Sequence, residues 1–476
     1  MAYTDIDDPT IYFNTKLYTG NGGTQSITGV GFQPDWIWYK ARSRVASHGL
    51  FDSIRGATKQ LYSNNSNAEA TYSGITSFDS DGFSLGSDAG GNNSSETYVA
   101  WNWKAGGSAP AITYTVKVVS DGGNKYRFDD FGTSAVTLDL QEGGTYTFDG
   151  SDSSMASHPI KLSETSNGTH GGGSSYNTGV IYELDGSSVT ESAYVSGYSS
   201  ASSRKLIITV AASAPTLYYY CHYHSGMGGQ ANTNSTFGSS NFSGSIQSTV
   251  SANTTAGFSI VSSTGNGSAG TTVGHGLGKK AQLIIAKNRV TTGGYNFNVY
   301  HHKNTSEPAT EIIALNETGA TSDSAIYWND TDPTTSVFTL GSSGQSNTNG
   351  AAYIAYVFSE VKGYSKFGNY TGNGNADGTF VYTGFKPAFI MYKNTARSIS
   401  WLIHDNKRLG YNPDNDEQHP DTNAADGSDD RADILSNGFK IRESSNLMNV
   451  SGEQVIYMAF AESPFVNSNG VPTNAR

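Results

Sequence analysis

Cysteine occurs once in 476 residues, which excludes a disulfide framework within the chain. Basic residues are outnumbered, 29 Lys and Arg against 41 Asp and Glu, for a formal charge of −12. A protein that grips a phosphate backbone or an anionic bilayer normally carries the opposite sign, so neither partner is expected. Leu and Glu are too sparse for a heptad stalk. No run approaches the roughly 18 apolar residues of a membrane span. The opening Met1-Ala-Tyr-Thr-Asp-Ile-Asp-Asp8 has neither a basic n-region nor an apolar h-region, so synthesis in the cytoplasm without a secretory signal is expected.

What is present points to strands. The chain has 56 Gly and 29 Tyr, with long Ser, Thr and Asn stretches and only 15% charged residues. Helices favour Ala, Leu, Glu and Lys, whereas this mixture suits strands joined by turn-rich loops. Such a surface-like composition, without export signal or disulfides, is expected of a protein assembled in the cytosol and released by lysis. A virus-particle component meets that description.

The sequence repeats itself. Phe32-Gln-Pro-Asp-Trp-Ile-Trp-Tyr-Lys40 aligns without gaps on Phe385-Lys-Pro-Ala-Phe-Ile-Met-Tyr-Lys393, with a weaker copy at Leu283-Ile-Ile-Ala-Lys287. Each follows a Thr-Gly-Asn-Gly turn, beginning at Thr19, Thr264 and Thr371. Each precedes a second apolar stretch: Gly49-Leu-Phe-Asp-Ser-Ile-Arg55, Phe297-Asn-Val-Tyr-His301 and Trp401-Leu-Ile-His-Asp405. Asp81-Gly-Phe-Ser-Leu85 is answered by Val337-Phe-Thr-Leu340 and Asn437-Gly-Phe-Lys-Ile441, and every copy closes on a Tyr-x-Ala-aromatic strand at Tyr98, Tyr353 and Tyr457. Landmarks in one order predict an all-β chain built from three tandem β-sandwich modules, jelly-roll or lectin-like. The continuous apolar run Trp36-Ile-Trp-Tyr39 predicts a strand covered on both faces.

An insert, about residues 112–236, lacks every landmark. It reads as further strands, ending in Tyr218-Tyr-Tyr-Cys-His-Tyr-His-Ser-Gly-Met-Gly-Gly229, with a histidine upstream in Asp152-Ser-Ser-Met-Ala-Ser-His158. This resembles the cupredoxin family of plastocyanin-like and amicyanin-like domains. The resemblance implies a type 1 copper site from His158, Cys221, His224 and Met227. One thiolate and two imidazoles form a trigonal set for copper, with a thioether on the axis. The Gly-rich excursion 165–177 departs from the family and adds His170 as a further ligand or a replacement. A chain folded in a reducing cytosol meets little copper, so an empty site or silent Cu(I) fits the pattern as well as Cu(II). The expected division is therefore 1–108, with the N-terminal end as the virion anchor, then 109–236, 237–362 and 363–476.

Other chemistry is weakly signalled. Asp414, Asp416 and Asp426 offer carboxylates for calcium, but no twelve-residue hand is present and a solvated acidic loop is the better expectation. Gly-rich runs lack the Lys-Ser/Thr of a phosphate loop, and no His-Glu-x-x-His occurs. His301-His302 stands where the first copy has Asp52, which argues against a shared catalytic role. No enzymatic activity is expected. Trp36 and Trp38 change to other apolar residues in the other copies, as core positions do, so a glycan-stacking site is expected instead in the loops 42–47, 290–295 and 410–433.

The module as a whole, from Tyr18-Thr-Gly-Asn-Gly22 through Phe78-Asp-Ser-Asp-Gly-Phe-Ser-Leu85 to Tyr98-Val-Ala-Trp-Asn-Trp-Lys-Ala105, resembles a domain recurrent in structural proteins of marine tailed bacteriophages. There it often stands beside a cupredoxin-like insert. The resemblance implies a virion protein: a tail fibre or tail-associated protein that binds a glycan or envelope protein on the host surface, contacting other virion proteins and forming a homo-oligomer, taken as a trimer. A capsid-surface decoration or head-fibre protein is the alternative, and a copper electron-transfer protein a distant one.

Overall fold

The computed structural model describes residues 3–106, 109–233, 238–290, 294–408, 412, 416–444 and 447–474. The protein is all-β, and among the described residues every helix is two turns or shorter. The chain divides into two compact units, Met1–Gly107 with Ala252–Arg476, and Ser108–Ser251.

In the first unit the three copies build the same four-stranded antiparallel arrangement. Phe13–Thr19, Thr97–Trp103, Trp36–Ala41 and Gly49–Asp52 lie side by side in that order. Phe258–Thr264, Ala352–Phe358, Leu283–Asn288 and Asn298–His301 repeat it, as do Ser365–Thr371, Gln454–Pro464, Phe385–Asn394 and Leu402–Asp405. Each copy adds a smaller sheet, led by Gln25–Thr28, Thr271–Gly274 and Phe380–Tyr382.

A buried asparagine before each closing strand holds the Thr-Gly-Asn-Gly turn. Asn92 Oδ1 accepts from Asn21 N, and its amide donates to Asn21 Oδ1 and to the Gly23 and Gly86 carbonyls. Asn347 and Asn449 make the same exchange with Asn266 and Asn373. The turn glycine is obligatory because a Cβ on Gly20 would sit 2.2 Å from the Asn93 carbonyl oxygen.

Strand alternation sends side chains to two different cores. Ile37, Tyr39, Tyr98 and Ala100 pack against Ile27, Phe83 and Leu85 of the small sheet. Trp36, Trp38, Val99, Trp101 and Trp103 face the other way, as the continuous apolar run predicts. There they join Tyr356 and Phe358 of the second copy with Phe389, Met391 and Phe460 of the third. Trp36 stacks on Trp103 and on Tyr356, with ring centroids 4.4 Å and 4.3 Å apart.

The expected boundary at 108 lies within one residue of the observed division, that at 236 moves to 251, and that at 362 does not divide compact units. The three copies are sandwiches, but they share one core and form one unit, because each has a second apolar sheet face that only its neighbours cover. The contacts close in a ring. Tyr356 donates to Asp52 at 2.8 Å, and Arg289 pairs with Glu69 at 2.9 Å, joining copies one and two. His301 Nε2 meets the Tyr457 carbonyl at 3.1 Å, and Lys393 donates to the Thr318 carbonyl at 2.8 Å, joining two and three. Trp101 donates to Asp405 at 2.9 Å, and Arg42 reaches Asp426 at 2.7 Å, joining three and one.

The second unit is a two-sheet sandwich. Six strands run Asn124–Phe128, Ala111–Ser120, Thr145–Asp149, Arg204–Thr209, Val180–Leu184 and Ser187–Val189. Four face them: Leu138–Asp139, Gly229–Asn232, Leu217–Cys221 and Ile160–Ser163. Between lies an aromatic core that includes Tyr114, Phe128, Tyr146, Phe148 and Tyr219.

Candidate metal centre

His158 lies two residues before the edge strand Ile160–Ser163, which pairs antiparallel with Leu217–Cys221 so that Ile160 lies opposite Cys221. This register brings His158 to the end of the strand that carries the thiol. The chain then loops through 222–228 and returns antiparallel as Gly229–Asn232. The loop can turn this tightly because Gly228 lacks a side chain: a Cβ there would lie 1.6 Å from the Tyr219 carbonyl oxygen.

Cys221 Sγ is 3.8 Å from His158 Nδ1 and 3.5 Å from His224 Nδ1. All three ligand atoms lie within 4.8 Å of one another. A metal held at about 2.0 Å from nitrogen and about 2.3 Å from sulfur, with ligands roughly 110–120° apart, separates nitrogen from sulfur by about 3.5–3.7 Å. The two sulfur–nitrogen spacings match that requirement. Cys221 is fully buried and His158 is 7% exposed, while His224 stands at the surface. Burial, reinforced by neighbouring His224, holds the His158 imidazole below its ordinary pKa, which favours the neutral form that ligates. Met227 is buried in the same core cluster as Cys221. Two imidazoles and a cysteine sulfur, with a thioether elsewhere in the same core, are donor types that suit copper.

Two neighbours, Tyr126 and Asn167, escape sequence reasoning. Tyr126 donates its hydroxyl to the His158 carbonyl at 3.0 Å, and its backbone N–H to the Met227 carbonyl at 3.0 Å, tying both ligand segments to one strand. Asn167 Oδ1 accepts from Gly226 N at 2.7 Å and so braces the ligand loop. His170 does not join the cluster: its Nε2 lies 3.1 Å from the Cys221 carbonyl. The Gly-rich excursion is thus a support for the loop. Its only signal in the sequence is its length, because the partners lie some fifty residues downstream.

The remaining candidates resolve as structure. Asp426 is ion-paired with Arg42 and, at 3.1 Å, with Arg408; Asp416 meets Arg42 at 3.0 Å. The acidic segment is therefore a strap onto the first copy rather than a solvated loop, and Asp414 lies outside the described residues. Loop 42–47 faces the same strap, with Ala46 N donating to the Asn423 carbonyl. Residues 291–293 of the third loop lie outside the described residues. Gly82-Phe-Ser-Leu-Gly86 spells the letters of a nucleophile elbow, but Ser84 lies within strand Gly82–Leu85 and bonds to Asp79 at 2.7 Å.

The sequence matches the family described as "Domain of unknown function (DUF7483)" over residues 8–123 and 231–464. The break between the two matched stretches falls within the second unit, so the triplicated body is what this family describes. No curated protein and no solved structure matches the chain.

Proposed function

We propose that this chain, which belongs to the DUF7483 family, is a structural protein of a tailed-bacteriophage particle, a tail-fibre or tail-associated component that contacts the host surface. The ring of seams carries this reading. Asp52, Asp405, Asp426, Glu69 and Arg42 are the groups that an enzyme would draw on, and all are engaged in joining one copy to the next. A body so cross-linked suits load-bearing and display, and it agrees with the resemblance to phage structural proteins. The proposal includes contacts with other virion proteins and a homotrimeric assembly.

Immunogold electron microscopy with an antibody against residues 363–476 tests it on intact particles. Label on the tail supports host attachment. Label over the capsid assigns a decoration role instead, and absence of the chain from particles defeats both.

A second reading concerns the sandwich unit alone. The spacing of His158, Cys221 and His224 supports copper binding there, and bound copper would supply one-electron redox chemistry. The chain's own part is to hold two imidazoles and a buried sulfur within reach of one ion. Cu(II) added to the protein should produce a strong thiolate charge-transfer absorption that Cys221→Ser abolishes. Equal spectra for the two proteins would end this reading.

A further inference from the structure

The internal triplication supplies a control for any feature confined to one copy. The leading strand of each small sheet has an inward residue at the same register: Ile27 opposite Phe83, Val273 opposite Phe338, Val381 opposite Phe439. All three are buried. The outward residues on either side differ. They are Ser26 and Thr28 in the first copy, Thr272 and Gly274 in the second, and Phe380 and Tyr382 in the third. Phe380 is 45% exposed and Tyr382 is 54% exposed. Two copies form the same sheet with small outward residues, so the fold does not require aromatic rings at these places.

These rings border a groove of about 530 Å³, set where the second and third copies meet. That size suits a small-molecule or oligosaccharide segment. Its polar lining comes from both copies: Gln282, Lys303 and Glu360 from the second, Lys366 from the third. Lys366 donates to the Tyr382 carbonyl at 2.9 Å and holds its ammonium 5.6 Å from the Tyr382 ring centroid. It therefore fixes that ring in place while keeping a positive charge in the groove. Lys303 stands exposed on the rim. Adjacent aromatic faces bury the apolar face of a pyranose, and donors and acceptors beside them bind its hydroxyls. In a chain of net charge −12, two lysines at one groove are a local reversal of sign.

We propose that this groove binds an acidic polysaccharide, with pyranose rings stacked on Phe380 and Tyr382 and a uronate carboxylate paired to Lys303 or Lys366. The inference rests on the host-attachment reading and names the ligand class for it. Partly buried Glu360 is pushed towards its neutral form by burial, which reduces its repulsion of such a ligand.

The test is calorimetric titration of the full chain with alginate, a polyuronate, and with dextran, a neutral glucan. The comparison protein is Phe380→Ser with Tyr382→Thr, which installs the residues the first copy carries in the same sheet. We expect alginate binding, at least tenfold weaker in the double variant, with circular dichroism unchanged. Lys303→Gln should weaken it further at low salt than at high salt. Binding that survives the double substitution overturns the proposal, as does no binding to alginate. Equal affinity for dextran overturns the acidic class. If alginate fails while the chain still adsorbs to cells, the groove assignment falls and host attachment stands. Capsid label with alginate binding intact gives the reverse.

Discussion

Trp101 of the first copy donates its indole N–H to the Asp405 carboxylate of the third at 2.9 Å, and Arg408 closes on the same oxygen at 2.7 Å. Burial alone would raise the Asp405 carboxyl, but Arg408 and Trp101 hold it below its ordinary value. The next seam repeats the arrangement with Tyr356, Asp52 and Arg55. At the last seam the closing strand has Phe460, which has no donor to offer. There the acidic position is His301, and Asn304 replaces the arginine. Burial holds His301 down at about 3, so no carboxylate or imidazolium charge stands at that position. At both seams that carry a carboxylate, a side-chain donor from one copy and an arginine from the other reach it together.

Asp405→Ala should cost about 3 kcal/mol, because buried Arg408 is left with Asp426 as its remaining carboxylate partner and the Trp101 N–H loses its acceptor. Asp405→His combined with Arg408→Asn, the pairing found in the second copy, should cost distinctly less. Urea unfolding of the three proteins decides it; equal losses would mean that the charge is not what matters.

Asn92→Ala should lower stability by about 2–3 kcal/mol, since it strips partners from the turn at Asn21 and from two carbonyls. The expected signature is faster amide exchange at residues 20–23 as well as a lower midpoint. A midpoint unchanged within error would remove the turn-clamp role.

Tyr126→Phe should weaken copper binding about tenfold, the usual effect of losing an outer support, while the charge-transfer band keeps its position. Competition against a chelator measures the first and absorption the second. A shifted band would place Tyr126 in the ligand set itself.

Glu417 sets an acid limit. Burial would raise its carboxyl, but hydrogen bonds from His419 and Arg431 hold it at about 2, against an ordinary value of 4.5. A depressed carboxylate contributes stability that is present above 4.5 and lost as pH falls towards 2. Stability should therefore decline across that window, and Glu417→Gln should flatten the decline. Parallel pH profiles for the two proteins would assign acid unfolding to other groups.

Much of this was open to reading in the residues. The repeat landmarks, the all-β class and the doubly covered strand at Trp36 follow from spacing and side-chain type, which are local properties. The Cys221, His224 and Met227 grouping was legible for the same reason, because a tight Cys-x-x-His-x-x-Met loop is local, whereas His158 is brought beside it by strand pairing. Tyr126 and Asn167 were not legible, and His170 was named for the wrong role, since their partners are brought near only by the fold.

The sequence by itself determined the strands and the triplication, each legible from short stretches of residue type and order. Only the tertiary structure decided that three modules are one body, that the acidic segment is a strap, and which copy exposes an aromatic pair. Those outcomes depend on which apolar face covers which, and on which charge meets which across hundreds of residues. No local pattern encodes that choice.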